Sequence, residues 1–183
     1  MSAADKQLAA QLAQPEGLHA VWRSTARAPD GTPNKVIQGW LSEGGLLTQR
    51  LRDNCGKRFK MRLLDSRTGS VSAGLRREVL LCCGDNACIY AVTEIPATTL
   101  AAHAWLSKLG DEPLGEALRS RDNVTRSAFE YALIDAARLP ADINPEQPVW
   151  ARRSEFSIGG DALAVTEVFL PGLAHCSADA DNS

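Results

Sequence analysis

Two apolar runs folded back on themselves constrain this chain most. The run from Arg76 to Cys83 meets Gly84-Asp85-Asn86, and a second apolar run extends from Ala87 to Ile95. The same arrangement recurs later. Val149 to Ile158 meets Gly159-Gly160-Asp161, and Ala162 to Leu170 follows, closed by Pro171. Gly, Asp and Asn between two apolar runs are the residues tight hairpin turns require. Two β-hairpins are therefore predicted.

Between them, Thr98 to Leu109 has helical patterning, with Thr98 or Thr99 as cap and Gly110 as stop. Trp40 to about Asn54 places apolar residues at 40, 41, 46, 47 and 51, a helix pattern weakened by Gly44-Gly45. Residues 123–137 read both ways: Phe129, Tyr131 and Leu133 alternate like a strand, while the alanines suit a helix. Strands, helix and strands without regular βαβ spacing predict an α+β fold with an antiparallel sheet.

Residues 24–35, with Pro29, Gly31 and Pro33, read as a loop after an N-terminal helix. Residues 140–148 hold three prolines and read as another loop, and the last ten residues as a frayed tail. Neither loop divides the chain into two viable cores. The expected organisation is one domain: an N-terminal helix and loop over 1–39, the main body over 40–173, and a tail over 174–183. No early apolar stretch suits a signal peptide, and no run approaches the ~18 residues of a membrane span. A soluble, cytoplasmic monomer is expected.

Composition narrows the partners. The 183 residues carry a formal net charge of −2, which argues against a nucleic-acid binder with a globally basic surface. Fifteen of the 20 basic residues are Arg, a bias toward anionic ligands that GC-rich codon usage explains equally well. Nine Lys/Arg fall between Arg50 and Arg77, against Asp53 and Asp65. They read as a solvated face, with a local potential drawing in an anionic substrate as the functional alternative. Of the five cysteines, Cys82, Cys83 and Cys88 cluster without a CxxC pair or a nearby His. That spacing predicts no metal site and buried free thiols instead.

Strand side chains alternate faces, and the alternation isolates two charges. Arg77 shares a face with Val79, Leu81 and Cys83. Glu167 shares one with Leu163, Val165 and Phe169. A charge in apolar company must be paired or hydrogen-bonded. Arg77 and Glu167 therefore read as a structural ion pair, as charges near a strand end in water, or as two polar anchors inside an apolar small-molecule pocket.

The sequence resembles the chorismate pyruvate-lyase family. The resemblance rests on Trp40-Leu41 with Gly45-Leu46-Leu47-Thr48, on Leu75 to Cys82, on Ile95-Pro96 with Thr99-Leu100, and on Leu109-Gly110 with Pro113-Leu114-Gly115. Thr125-Arg126, Trp150 to Ser154 and Thr166 to Pro171 complete it, in order over residues 40–171. It implies an antiparallel sheet of about six strands with helices packed on it and a ligand enclosed under flaps. It also implies conversion of chorismate to 4-hydroxybenzoate and pyruvate, the step that leads toward ubiquinone, without metal or organic cofactor. The family's ligand arginine falls on Arg77, its glutamate on Glu167 and its leucine on Leu114. A position often held by Met falls on Leu47, a volume-conserving change. Arg77 and Glu167 are the expected catalytic pair, and Leu47 and Leu114 the apolar walls. Some members carry Gly-Arg where this chain has Ala91-Val92, so one family arginine is missing. The competing expectation is a non-catalytic domain of the same fold that senses small aromatic acids.

Overall fold

The computed structural model describes residues 18–27, 31–68 and 74–176. The expected N-terminal helix and most of the expected tail lie outside them.

Both predicted hairpins form: β2 (Leu75–Cys83) with β3 (Asn86–Ile95), and β6 (Val149–Ile158) with β7 (Asp161–Phe169). Positive φ at Gly84, Gly159 and Gly160 makes the reversals. The hairpins join side by side through β3 and β7. The outer strands are β1 (Phe59–Thr68), β4 (Val124–Arg126) and β5 (Glu130–Ile134), giving seven antiparallel strands in the order β1-β2-β3-β7-β6-β4, with β5 also on β6. The alternation at 129–133 was therefore a strand signal.

Two helix expectations need correction, and one strand was not foreseen. The expected antiparallel sheet of about six strands is present, with seven strands among the described residues. The missed strand, β1, lies inside the basic stretch: an edge strand has one neighbour, so Lys60, Arg62 and Arg67 project into water and hide its apolar alternation. The helix predicted from Trp40 is two, α1 (Lys35–Leu41) and α2 (Leu47–Cys55), because the Gly44-Gly45 stretch breaks the ladder. Asn34 caps α1 through a 2.9 Å bond from the Ile37 amide to its Oδ1. The helix predicted over 98–109 is α3 (Ala97–Ala102) followed, after a break at His103, by a 3-10 turn over Ala104–Lys108. A last short helix, α4 (Leu114–Arg119), follows Pro113.

The sheet buries both faces. One packs Leu80, Tyr90, Val92 and Val168 beneath Leu18, Leu139 and Ile143. The other carries two apolar clusters. In one, Trp40, Leu41, Leu47 and Leu51 cover Val79, Leu81, Ile89 and Phe169. In the second, Leu106, Leu109, Leu114 and Leu118 cover Ile95, Leu163 and Val165. A cavity opens between these two clusters. No helix among the described residues is long and apolar enough to cross a membrane.

Candidate functional site

The cavity between the clusters is lined by Leu47, Val79, Leu81, Ile89 and Ala91 on one side and by Leu114, Leu118, Phe156 and Val165 on the other. Its charged lining is Arg77, Arg126 and Glu167. Leu47, Arg77, Leu114 and Glu167, the four residues singled out in the sequence, thus border one space. Its volume is about 80 Å³. One water needs roughly 10–15 Å³ on that scale. The room is that of one small organic molecule, not of a polymer.

Register explains the placement. Arg77 pairs with Thr93, and Thr93 with Val165; two residues along, Val79 pairs with Ala91, and Ala91 with Glu167. Arg77 and Glu167 therefore sit two strands apart and on a diagonal, with Cα positions about 10 Å apart across the sheet and about 7 Å along it. A small side chain, Ala91, lies beside Glu167 and leaves the diagonal open.

The two charges do not pair with each other. Arg77 is 3% exposed, and its Nη2 donates to the carbonyls of Gly110 and Glu112 at 2.9 and 3.0 Å. Its Nε is buried without a partner. Burial pushes the Arg77 guanidinium below its ordinary pKa, against the opposing charge of Asp111. A buried guanidinium donor left without an acceptor is costly.

Glu167 instead meets two arginines. Arg152 Nε donates to its Oε2 at 2.6 Å, and Arg126 Nη2 reaches the same oxygen at 3.4 Å. Both bonds converge on Oε2. Both guanidinium carbons lie over the ring of Phe129, at 4.1 and 4.2 Å from its centroid, so an aromatic face helps hold two like charges close together. Arg126 is pushed down in pKa by burial, an effect that the nearby Arg152 adds to and Glu167 opposes.

Two arginines also fasten the segments that cover the cavity. Arg77 holds the 110–112 stretch leading to Leu114. Arg152 Nη1 donates to the carbonyls of Leu41 and Glu43 at 3.0 and 2.5 Å, holding the link between α1 and α2. The covers meet where Leu46 packs against Gly115, leaving a Cβ there only 2.9 Å from Leu46 Cδ2. An Arg52–Glu116 ion pair at 2.5 Å joins α2 to α4.

The sequence offered Arg152 or Arg153 as a replacement for the missing family arginine without placing either; Arg126, which lines the cavity, was not singled out. A signal existed for Arg152: in β6 it shares a face with Trp150, Ser154 and Phe156, the same pattern that isolated Arg77. Arg153, on the other face, pairs with Glu130. Val92 also points away from the cavity, into the opposite core beside Leu80 and Tyr90, so no charge is lost from the cavity at that position. The thiol reading needs correcting too: Cys55 and Cys83 form a disulfide, because the fold brings the end of α2 onto the end of β2.

An antiparallel sheet carrying a largely apolar cavity lined by Arg77, Arg126 and Glu167 defines an α+β protein with a pocket of small-molecule size. The sequence matches the chorismate lyase family over residues 19–176, and the chain belongs to that family. It is 36% identical over 164 residues to a probable chorismate pyruvate-lyase of Thiobacillus denitrificans, covering 76% of this chain and 84% of that one. It is 35% identical over 157 residues to one from Methylococcus capsulatus, covering 75% and 96%. Among solved structures, the ligand-binding domain of a putative GntR-family regulator from Bordetella bronchiseptica aligns with TM-score 0.41 and 11% identity, over 63% of this chain and 87% of that one.

Proposed function

We propose that the chain is a chorismate pyruvate-lyase that releases 4-hydroxybenzoate and pyruvate from chorismate, at the entry to ubiquinone synthesis. The observation that carries this reading is the diagonal of Arg77 and Glu167 across one apolar cavity, in a chain of the chorismate lyase family.

Chorismate bears a ring carboxylate, an enolpyruvyl ether and a ring hydroxyl. Elimination breaks the ether C–O bond and one ring C–H bond. The ring becomes aromatic, and the lost proton ends on the pyruvate released. The reaction is strongly downhill, so the protein has chiefly to hold one reactive conformer and let the proton move. The unpartnered Nε of Arg77 suits the ring carboxylate. The α2 N-terminus carries no side-chain cap, and its first residues line the cavity, offering backbone N–H groups to a second carboxylate. Arg126 adds positive charge on the same wall. Glu167 Oε1 accepts the hydrogen of the ring hydroxyl, while Arg152 and Arg126 hold the carboxylate in place. Leu47 and Leu114 supply apolar walls. The covers must part for the product to leave, so release limits turnover. The residues act without metal or organic cofactor.

The test is direct. Purified protein is incubated with chorismate, and pyruvate and 4-hydroxybenzoate are quantified. Equimolar formation of both is expected. Binding of 4-hydroxybenzoate without turnover of chorismate would instead identify a sensor.

A further inference from the structure

Four of the five cysteines come from four different elements and meet at one end of the sheet. Cys55 ends α2, Cys83 ends β2, Cys88 lies near the start of β3, and Cys176 follows a 3-10 turn over Pro171–His175. The sulfurs of Cys55, Cys83 and Cys176 all lie within 4.8 Å of one another. The sulfur of Cys88 is 2.9 Å from that of Cys176. Cys82, one residue from Cys83, belongs to the core on the other face of the sheet and takes no part.

The framework around this cluster is fixed. The Leu170 amide donates to the Cys88 carbonyl at 2.9 Å, tying the last turn to β3. Gly172 lies so close to the Ala87 carbonyl that a side chain there has no room. On the other side, the Gly84 amide bonds the Arg58 carbonyl at 2.8 Å, tying the segment after Cys55 to the β2–β3 turn. The bulge between Leu81 and Cys82 turns Cys88 toward the face that Cys83 occupies.

We infer that the reduced chain holds one thiophilic divalent cation of the zinc class, bound by Cys55, Cys83, Cys88 and Cys176. Tetrahedral thiolate sites bind with metal–sulfur bonds near ~2.3 Å, which puts the sulfurs about 3.8 Å apart. Three of the sulfurs already lie within 4.8 Å of one another, and the Cys88 sulfur, in contact with Cys176, completes the set by swinging toward Cys55 and Cys83. Cys83 and Cys88 flank a hairpin turn with four residues between them, a spacing such sites use. Arg58 is a charged neighbour of Cys176 and offsets part of the negative charge of a four-thiolate centre. Occupancy requires the Cys55–Cys83 bridge to be open. A thiol or phosphine reductant supplies the two electrons and two protons that turn it into two thiols. Binding then releases four protons as four thiolates close on the cation. The cluster is thus a site with two exclusive states, bridged or metallated. Local sequence spacing concealed it, because Cys55 and Cys176 reach Cys83 and Cys88 only through the tertiary fold.

The experiment uses the full chain, reduced and stripped of metal under anaerobic conditions, titrated with Co²⁺ and then Zn²⁺. One Co²⁺ per chain is expected, with sulfur-to-metal charge-transfer absorption and the intense visible bands of a tetrahedral site, displaced by Zn²⁺. Zn²⁺ is expected to raise the melting temperature of the reduced chain. Cys176→Ser, at the half-exposed end of the described chain, is expected to weaken Zn²⁺ binding at least tenfold while circular dichroism stays unchanged. Cys82→Ala is expected to leave affinity at the wild-type level. A folded, reduced chain that takes up no Co²⁺ would overturn the inference. So would uptake indifferent to Cys176→Ser, or a stable second bridge between Cys88 and Cys176 with no metal bound after reduction.

Discussion

Arg152 and Glu167 are direct cross-strand partners on β6 and β7, joined Nε to Oε2 at 2.6 Å. The same guanidinium holds the carbonyls of Leu41 and Glu43, so the glutamate of the site and one cover of the cavity share a single anchor. Arg152→Met should loosen both at once. Removing one member of a buried pair costs on the order of 3–5 kcal/mol. The expected outcome is a lower melting temperature and, in the protein that stays folded, a raised KM for chorismate. A variant with normal KM would mean that the cover is held without Arg152.

Arg77→Lys keeps the charge but loses the planar fork and the Nε donor. kcat/KM for chorismate should fall by at least about tenfold, equivalent to ~1.4 kcal/mol of transition-state stabilisation. Steady-state kinetics on the folded variant check this, and wild-type kinetics would remove Arg77 from the site.

Glu167→Gln keeps the shape but leaves Arg152 and Arg126 facing a neutral amide. Melting temperature without ligand should drop. Affinity for 4-hydroxybenzoate should also drop, by ~1–3 kcal/mol, the range for a hydrogen bond to a charged group. Calorimetric titration and thermal melts on the same sample separate the two effects. Lower stability with unchanged product affinity would leave Glu167 with a structural role alone.

On the far face, Glu78 accepts from Tyr90 at 2.5 Å and from Arg76 at 2.7 Å. Burial favours the neutral acid, but those hydrogen bonds and the Arg76 charge outweigh it and hold the Glu78 carboxyl below its ordinary pKa. A carboxyl lowered in the fold stabilises the protein above the unfolded value of about 4.3, and that contribution is lost as pH falls through the folded value. Wild type and Glu78→Gln should therefore differ in melting temperature at pH 7 and converge as the buffer is taken toward pH 3. A gap that stays constant with pH would contradict it.

The legible parts of this protein were its local ones. Each hairpin announced itself through a turn and two apolar runs, and alternation within β2 and β7 marked Arg77 and Glu167 before any geometry was known. What the sequence withheld is non-local. Nothing near Glu167 in the chain says that its partner is Arg152 rather than Arg77, because that depends on β6 lying beside β7 in one register. Cys55 gives no local sign of meeting Cys83, 28 residues away. β1 was concealed for a different reason: with water on one edge, its polar residues carry no packing signal.

That edge strand has a consequence for the life of the molecule in crowded solution. At one side of the sheet the chain protects its own rim: the segment before α1 reaches β5 through paired backbone bonds between Arg23 and Tyr131. At the other side β1 is the outermost strand among the described residues. Lys60, Arg62 and Arg67 stand exposed along it, and an irregularity between Leu63 and Asp65 breaks its register. Lys60 and Arg67 pair with Asp85 and Asp65 while remaining exposed, and such charged side chains along a broken ladder disfavour rim-to-rim pairing of two copies. The charges that hid β1 in the sequence are thus the ones that discourage its edge from recruiting another strand.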